Sequence, residues 1–143
     1  MTTSSLITAD EFTQRLASLC LGGGHSFPRK TRDLHILLAA ATLWMEAGAV
    51  YTEREVNEGL ADWLDRACPA LRVDVVSLRR ELVDHLYLDR DDSGTHYSPG
   101  AGPAGWRFAD EVADVDPVDV LMKARAEREA RRREHEARNR KEE

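Results

Sequence analysis

The stretch from Tyr51 to Tyr97 constrains this chain most, because a capped helix start, a second helix and a charged hairpin follow one another without a break. Tyr51-Thr52-Glu53-Arg54-Glu55-Val56-Asn57 opens the first of these helices. Its Thr52 hydroxyl can accept from the third helical amide while the Glu55 carboxylate reaches back, the reciprocal arrangement of a capping box. Val56, Leu60, Trp63 and Leu64 then recur at helical spacing, and Cys68-Pro69 stops the helix because the residue before proline resists that conformation. The next helix is expected over about 73–86, with Val75, Leu78, Leu82 and Leu86 on its inner face. Tyr87-Leu88-Asp89-Arg90 and Thr95-His96-Tyr97 read as two short strands across an Asp92-Ser93-Gly94 turn.

A further helix precedes this unit. It starts at Thr31 or Asp33, and its Leu34, Leu37, Leu38, Ala41, Trp44 and Met45 cover most of the circumference, as suits the centre of a core. Three helices followed by a two-stranded wing is the order of a winged helix-turn-helix, so the expected fold is mainly α and winged-helix-like over 27–99. Residues 1–26 are expected as a helical arm. Thr8 and Glu11 form its capping box, Phe12, Leu16 and Leu19 its apolar stripe, and Gly22-Gly23-Gly24 a helix stop and linker. Residues 100–143 read as a Gly/Pro-rich linker followed by a long charged helix. From Lys123 to Lys141 that helix has nine Lys/Arg against four Glu, and beyond Leu121 and Met122 it is nearly devoid of large apolar side chains, so a solvated extension is expected.

The residues from Phe27 to Tyr97 resemble a bacterial family of small domains of unknown function, whose members occur alone or attached to winged-helix regulators of the ArsR type. The resemblance rests on Tyr51-Thr52-Glu53-Arg54-Glu55-Val56-Asn57, Leu78-Arg79-Arg80-Glu81-Leu82-Val83-Asp84, Leu88-Asp89-Arg90 and Gly94-Thr95-His96-Tyr97. It implies a winged-helix-like fold and a link to transcriptional regulation, and it brings no reaction, cofactor or catalytic residue. The chain carries no ArsR-type DNA-binding domain beside it.

Charge bears directly on that link. The chain has a net charge of −6. Residues 27–98 hold nine Lys/Arg against thirteen Asp/Glu, so nucleic acid would have to meet a local basic patch. The candidates for phosphate contact are Arg29 and Lys30 before the first helix of the unit, Arg80 on its third helix and Arg90 on the wing, with Ser77 nearest base edges. Arg79 falls inside the apolar arc of its helix and is expected to be half-buried and paired with Glu55, Glu58 or Asp84. Asn57 is expected to hydrogen-bond to the Arg79 region or to a neighbouring loop.

Nothing selects an enzyme. The histidines are scattered, no His-x-x-x-His or Cys-x-x-Cys spacing suggests a metal site, and Cys20 and Cys68 read as small buried hydrophobes. No cofactor is implied. Two cysteines, no apolar run of bilayer length and no signal-peptide pattern at the start make a cytoplasmic protein the expectation, with no membrane contact. DNA or RNA is one class of partner. The alternative is a protein-interaction or dimerisation module meeting its partner through Phe12, Leu16 and Leu19.

Overall fold

A computed structural model describes residues 6–22 and 24–142. Its elements in chain order are β1 (Leu6–Ile7), α1 (Ala9–Gly22), α2 (Thr31–Ala41), β2 (Tyr51–Thr52), α3 (Glu53–Arg66), α4 (Val75–Asp84), β3 (Leu88–Arg90), β4 (His96–Pro99), β5 (Arg107–Phe108), a 3-10 turn (Asp110–Asp114) and α5 (Pro117–Glu142). The protein is mainly helical, with a three-stranded sheet ordered β2-β4-β3 and a separate parallel pair, β1 with β5.

α2 is the centre. All seven residues from His35 to Ala41 are buried, so the helix must be covered all round. α3 and α4 cover it with Val56, Leu60, Trp63, Leu78 and Leu82. The expected capping box at α3 is present in full: the Glu55 amide donates to the Thr52 hydroxyl at 3.2 Å and the Thr52 amide to the Glu55 carboxylate at 2.9 Å. α4 is shorter than expected, because the Asp74 side chain accepts from the Ser77 amide and caps the helix one residue before Val75. α2 also stops early, at Ala41. Trp44 lies in the following turn, its indole N–H donating to the Ala41 carbonyl at 2.8 Å.

Three other expectations require correction. The two strands expected as a wing lie in a three-stranded sheet, since Tyr51–Thr52 pairs antiparallel with Tyr97 and His96 before the chain enters α3. Leu86 is no core residue but 52% exposed, in the left-handed region at φ 66°. There the amide of Tyr87 donates to the Leu82 carbonyl and that of Leu86 to Val83, the paired bonds of a Schellman cap that turns the chain from α4 into β3. The segments outside 27–99, finally, belong to the same core. Ile7, Phe12, Leu16, Cys20, Val112 and Leu121 are all at most 3% exposed and join one hydrophobic cluster with α2, α3 and α4.

The apolar stripe of α1 is therefore no open dimer surface. Phe12 and Leu16 are buried within the chain, Leu19 is half-buried, and Phe12 meets Phe108 edge to face at 6.0 Å between ring centres. Polar bonds fix α1 to α2. Arg15 forks onto Asp33 at 3.0 and 2.9 Å, and Arg32 pairs with Glu11. Glu11 thus turns to Arg32, so at α1 only the Thr8 half of the expected capping box forms. Gly23, inside the expected linker, lies outside the described residues.

The tail also departs from a bare extension. Val118, Leu121 and Ala124 on the first half of α5 are partly or fully buried, and Gly22 at the end of α1 lies close to Arg128. Every described residue from Glu129 onward is exposed. At 1.5 Å per residue, the 14 residues from Glu129 to Glu142 project by about 21 Å. Among the described residues no helix is long and apolar enough to cross a membrane.

Candidate functional site

The outer face of α4 and the β3–β4 hairpin meet in a recess of about 160 Å³ whose walls include Arg79, Arg80, Asp84, Arg90 and Tyr97. Each arginine arrives by a different route. Arg79 and Arg80 are adjacent on a helix, so their side chains leave about 100° apart, one toward α3 and one outward. Arg90 ends β3.

Arg79 is engaged within the fold. Its side chain is 16% exposed, bonds to Glu53 at 3.1 Å and to the Asn57 side-chain oxygen, and lies over the Tyr97 ring at 5.8 Å. The expected paired arginine is there, but its carboxylate is Glu53 and none of the three candidates. Two of those are occupied elsewhere: Glu55 closes the capping box, and Glu58 pairs with Arg54 at 3.1 Å. Asn57 has the hydrogen bond expected of it.

Arg80 and Arg90 are exposed. The Arg90 guanidinium lies against Gly94, where φ is +75°, so the backbone of the turn favours a glycine, while the flexible end of Arg90 can give way to a Cβ. Asp91 organises that turn. Its carboxylate accepts from the His96 amide at 3.2 Å, the Thr95 amide at 2.9 Å and the Ser93 hydroxyl at 3.1 Å, bonds that hold its pKa down at about 2. The β3–β4 hairpin therefore carries an anion beside Arg90 at neutral pH. The carboxylate faces inward to the turn's own donors.

The other candidates lie elsewhere. Ser77 is half-buried in the first turn of α4, its amide tied to Asp74, and it does not line the recess. Lys30 precedes the first residue of α2, and Arg29 lines a separate hollow beside Leu37 and Cys68. The structure unites Arg80 and Arg90, and leaves Arg29, Lys30 and Ser77 outside their recess.

A buried cluster behind the wing escapes sequence reasoning. His35, 3% exposed on α2, bonds through Nδ1 to the Tyr87 hydroxyl at 2.7 Å and stacks on Trp106 with ring centres 4.5 Å apart. His85 stands edge-on to it at 5.5 Å and pairs with Glu81 at 3.2 Å. Burial, and then the nearby His85, lower the pKa of His35, while burial raises that of Tyr87. No local spacing shows Trp106 seated on a histidine 71 positions earlier. No group of three or more His, Cys, Asp or Glu among the described residues could hold a metal. Cys20 and Cys68 are buried against each other, and their mutual hydrogen bond, followed by burial, raises the Cys20 thiol pKa far above its usual range.

Comparison with known proteins bears on the same stretch. Residues 25–98 match the family described as uncharacterized proteins conserved in bacteria (DUF2087), and the chain belongs to that family. No curated protein and no solved structure matches it.

Proposed function

We infer that this member of the family is a winged-helix-like regulatory protein that contacts nucleic acid through α4, the β3–β4 hairpin and the basic end of α5. The element order α2-β2-α3-α4-β3-β4, with the sheet ordered β2-β4-β3, supports the winged-helix reading. The observation that carries the contact is the convergence of Arg80 and Arg90, exposed and in no ion pair within 4 Å among the described residues, on the recess between helix and wing, although the Asp74 carboxylate feels the charge of Arg80. Two unpaired guanidinium groups are suited to neighbouring phosphates. The mixed charge of the same face, with Glu81, Asp84 and Asp92 close in sequence, argues for a contact to the backbone more than to base edges. The bare end of α5, with Arg131-Arg132-Arg133 and Arg138-Asn139-Arg140-Lys141, would add sequence-independent attraction.

The test is fluorescence anisotropy of labelled duplex DNA at low and physiological salt. Three proteins are titrated: the full chain, Arg80→Glu/Arg90→Glu, and a truncation ending at Arg128. Ending at Arg128 matters, because a cut at Pro99 would remove Val112 and Leu121 from the core. The expected result is salt-sensitive binding whose log–log slope falls by about 2 in the double variant, near 0.9 for each phosphate lost. Binding that the double variant leaves intact and the truncation abolishes would move the contact to the α5 arm. No binding by any of the three would favour a protein partner, which would then need a surface other than Phe12, Leu16 and Leu19.

A further inference from the structure

The geometry points to a second copy of this chain as the occupant of a groove of about 630 Å³ that runs along the seam between α1 and α5. The two copies dock antiparallel about a two-fold axis. The inference does not rest on the nucleic-acid reading, since Arg80 and Arg90 lie outside this groove.

The helices that form the groove run side by side in the same direction. β1, just before α1, pairs with β5 ahead of α5, and Gly22 at the other end of α1 lies close to Arg128. Small half-buried side chains line the middle of the groove: Ala17 from α1, and Val120 and Ala124 from α5. Small residues at a helix surface let another helix approach closely.

Charge is laid out along the groove in order. Asp116 and Asp119 line its start and Arg128 and Arg131 its far end, about 22 Å away along α5, and all four are exposed. Asp116 accepts from the Val118 amide at 3.0 Å and Asp119 pairs with Lys123 at 2.9 Å, which leaves each carboxylate with lone pairs to spare. Further along α5, the ion pairs run from Glu129 and Glu136 to Arg132, Arg133 and Arg140. Among the described residues none involves Arg128 or Arg131.

A stripe that is acidic at one end and basic at the other complements itself only when turned end to end. With the axis between Lys123 and Ala124, Asp119 faces the partner's Arg128 and Asp116 the partner's Arg131, and each contact occurs twice. A parallel pair would set like charges opposite one another. Lys123, nearest the axis, is already neutralised by Asp119. Each α5 then lies between the α5 and the α1 of the other copy, a four-helix arrangement flanked by the two α1 helices. The same register carries the bare, arginine-rich end of α5 past the start of the partner's α5, where Asp114 also lines the groove. Exposed ion pairs are individually weak and are screened by salt, so the dimer is modest in affinity and salt-sensitive.

Sedimentation velocity of the full chain, from micromolar to submillimolar concentration at low and physiological salt, tests this. The expected result is a monomer–dimer equilibrium that weakens as salt rises. Arg128→Glu and Asp119→Arg should each weaken the dimer about tenfold or more, because each exchange turns two attractive contacts into two repulsive ones. The double variant Asp119→Arg/Arg128→Glu should recover the wild-type equilibrium to within about threefold. That recovery cannot arise inside one chain, since positions 119 and 128 lie about 13 Å apart along the same helix. Cysteine crosslinking gives a second reading that needs no charge exchange. Oxidation by a small disulfide should join Ala124→Cys, next to the axis, into a covalent dimer and leave Ala137→Cys, far from it, monomeric. A monomer at every concentration in low salt, a dimer indifferent to either single exchange, a double variant no better than the singles, or equal crosslinking at 124 and 137 overturns the proposal.

Discussion

The cations on the two sides of α2 do different work. Toward α1, Arg15 and Arg32 are both bonded to carboxylates, and the edge-to-face contact of Phe12 with Phe108 closes the seam. Toward the wing, Arg79 is bonded in the same manner, but Arg80 and Arg90 next to it are not. Both regions are rich in arginine, and composition does not tell them apart. What separates them is whether a carboxylate bonds the guanidinium directly once the helices have packed: Asp84 shares the recess and Asp74 feels the charge of Arg80, but neither forms an ion pair with it among the described residues. A charge that packing has already neutralised stabilises the fold, and one that packing leaves open is available to a partner.

The largest expected effect tests whether the α1 seam is part of the fold at all. Phe12 is fully buried, so Phe12→Ala should cost about 3–5 kcal/mol, read as a fall in the urea midpoint at unchanged slope. Val76 on the outer face of α4 is 48% exposed, and Val76→Ala should stay within about 0.5 kcal/mol. A loss below 1 kcal/mol for Phe12→Ala would mean that α1 is an arm after all.

The next contrast lies within the wing side. Arg79→Ala removes a largely buried cation from Asn57, Glu53 and the Tyr97 ring, and should destabilise by about 1–3 kcal/mol. Arg80→Ala should leave stability within about 0.5 kcal/mol and weaken whatever anion the recess holds. Thermal melts of the two variants beside the binding titration separate the roles. Equal melting losses would show that Arg80 also supports the fold and would remove the reason for assigning it to a partner.

That contrast also marks how far the sequence could be read. Features written in local spacing were legible: the Thr52–Glu55 box, the inner stripe Val56, Leu60 and Trp63, the Gly94 turn, and an Arg79 paired inside its helix arc. Features that depend on distant partners were not. β2 is two residues long and exists only because β4 returns beside it some 45 positions later. Glu53 became the partner of Arg79 because Glu55 and Glu58 were occupied by their own neighbours. Leu86 fits the apolar repeat of α4, yet the Schellman cap ends the helix before the repeat does. On α5 a few small apolar residues suffice to pack its first half, since α1 presents a surface that no periodicity in α5 itself reveals. For the candidate residues, the outward position of Arg80 could be read from helical spacing, whereas its meeting with Arg90 in one recess, and the position of Arg29, Lys30 and Ser77 outside it, needed the fold.

Behind the β3–β4 hairpin, the buried His35 adds a pH dependence to the wing side. Its folded pKa lies below the ordinary histidine value, so the unfolded chain takes up a proton that the folded chain resists. Stability from this group is complete above the unfolded pKa near 6.5 and is lost as pH falls from there toward the lowered folded pKa. The lowered carboxylates, Glu11, Glu55, Asp74 and Asp91, act in the same direction but only below about pH 4.5. Urea midpoints should therefore drop between pH 7.5 and 5.5 in the wild type and hold steady in His35→Gln, which can still bond to the Tyr87 hydroxyl. A flat wild-type profile over that interval would place no titrating histidine in that buried cluster. Trp106 fluorescence, followed through the same interval, would show whether the stacked ring moves as the histidine charges.

The smallest expected effect concerns the join between α4 and the wing. Leu86 occupies a left-handed conformation that costs a non-glycine residue about 1 kcal/mol, and its side chain is half in solvent, so little packing offsets the strain. Its carbonyl nevertheless accepts from the Gly102 amide at 2.8 Å, which draws the segment after β4 back over the cap. Leu86→Gly keeps that carbonyl and relieves the strain, at the expense of a more flexible unfolded chain. The net expectation is a gain of roughly 0.5 kcal/mol, measured as a slightly higher denaturation midpoint. Leu86→Ala separates the two contributions, because it trims the side chain while keeping the left-handed penalty. If alanine stabilises as much as glycine, the exposed leucine itself was unfavourable and the backbone carries no strain. If both variants lose stability, the side chain of Leu86 packs against the segment that follows β4, and the wing is anchored by that contact as well as by its hydrogen bonds.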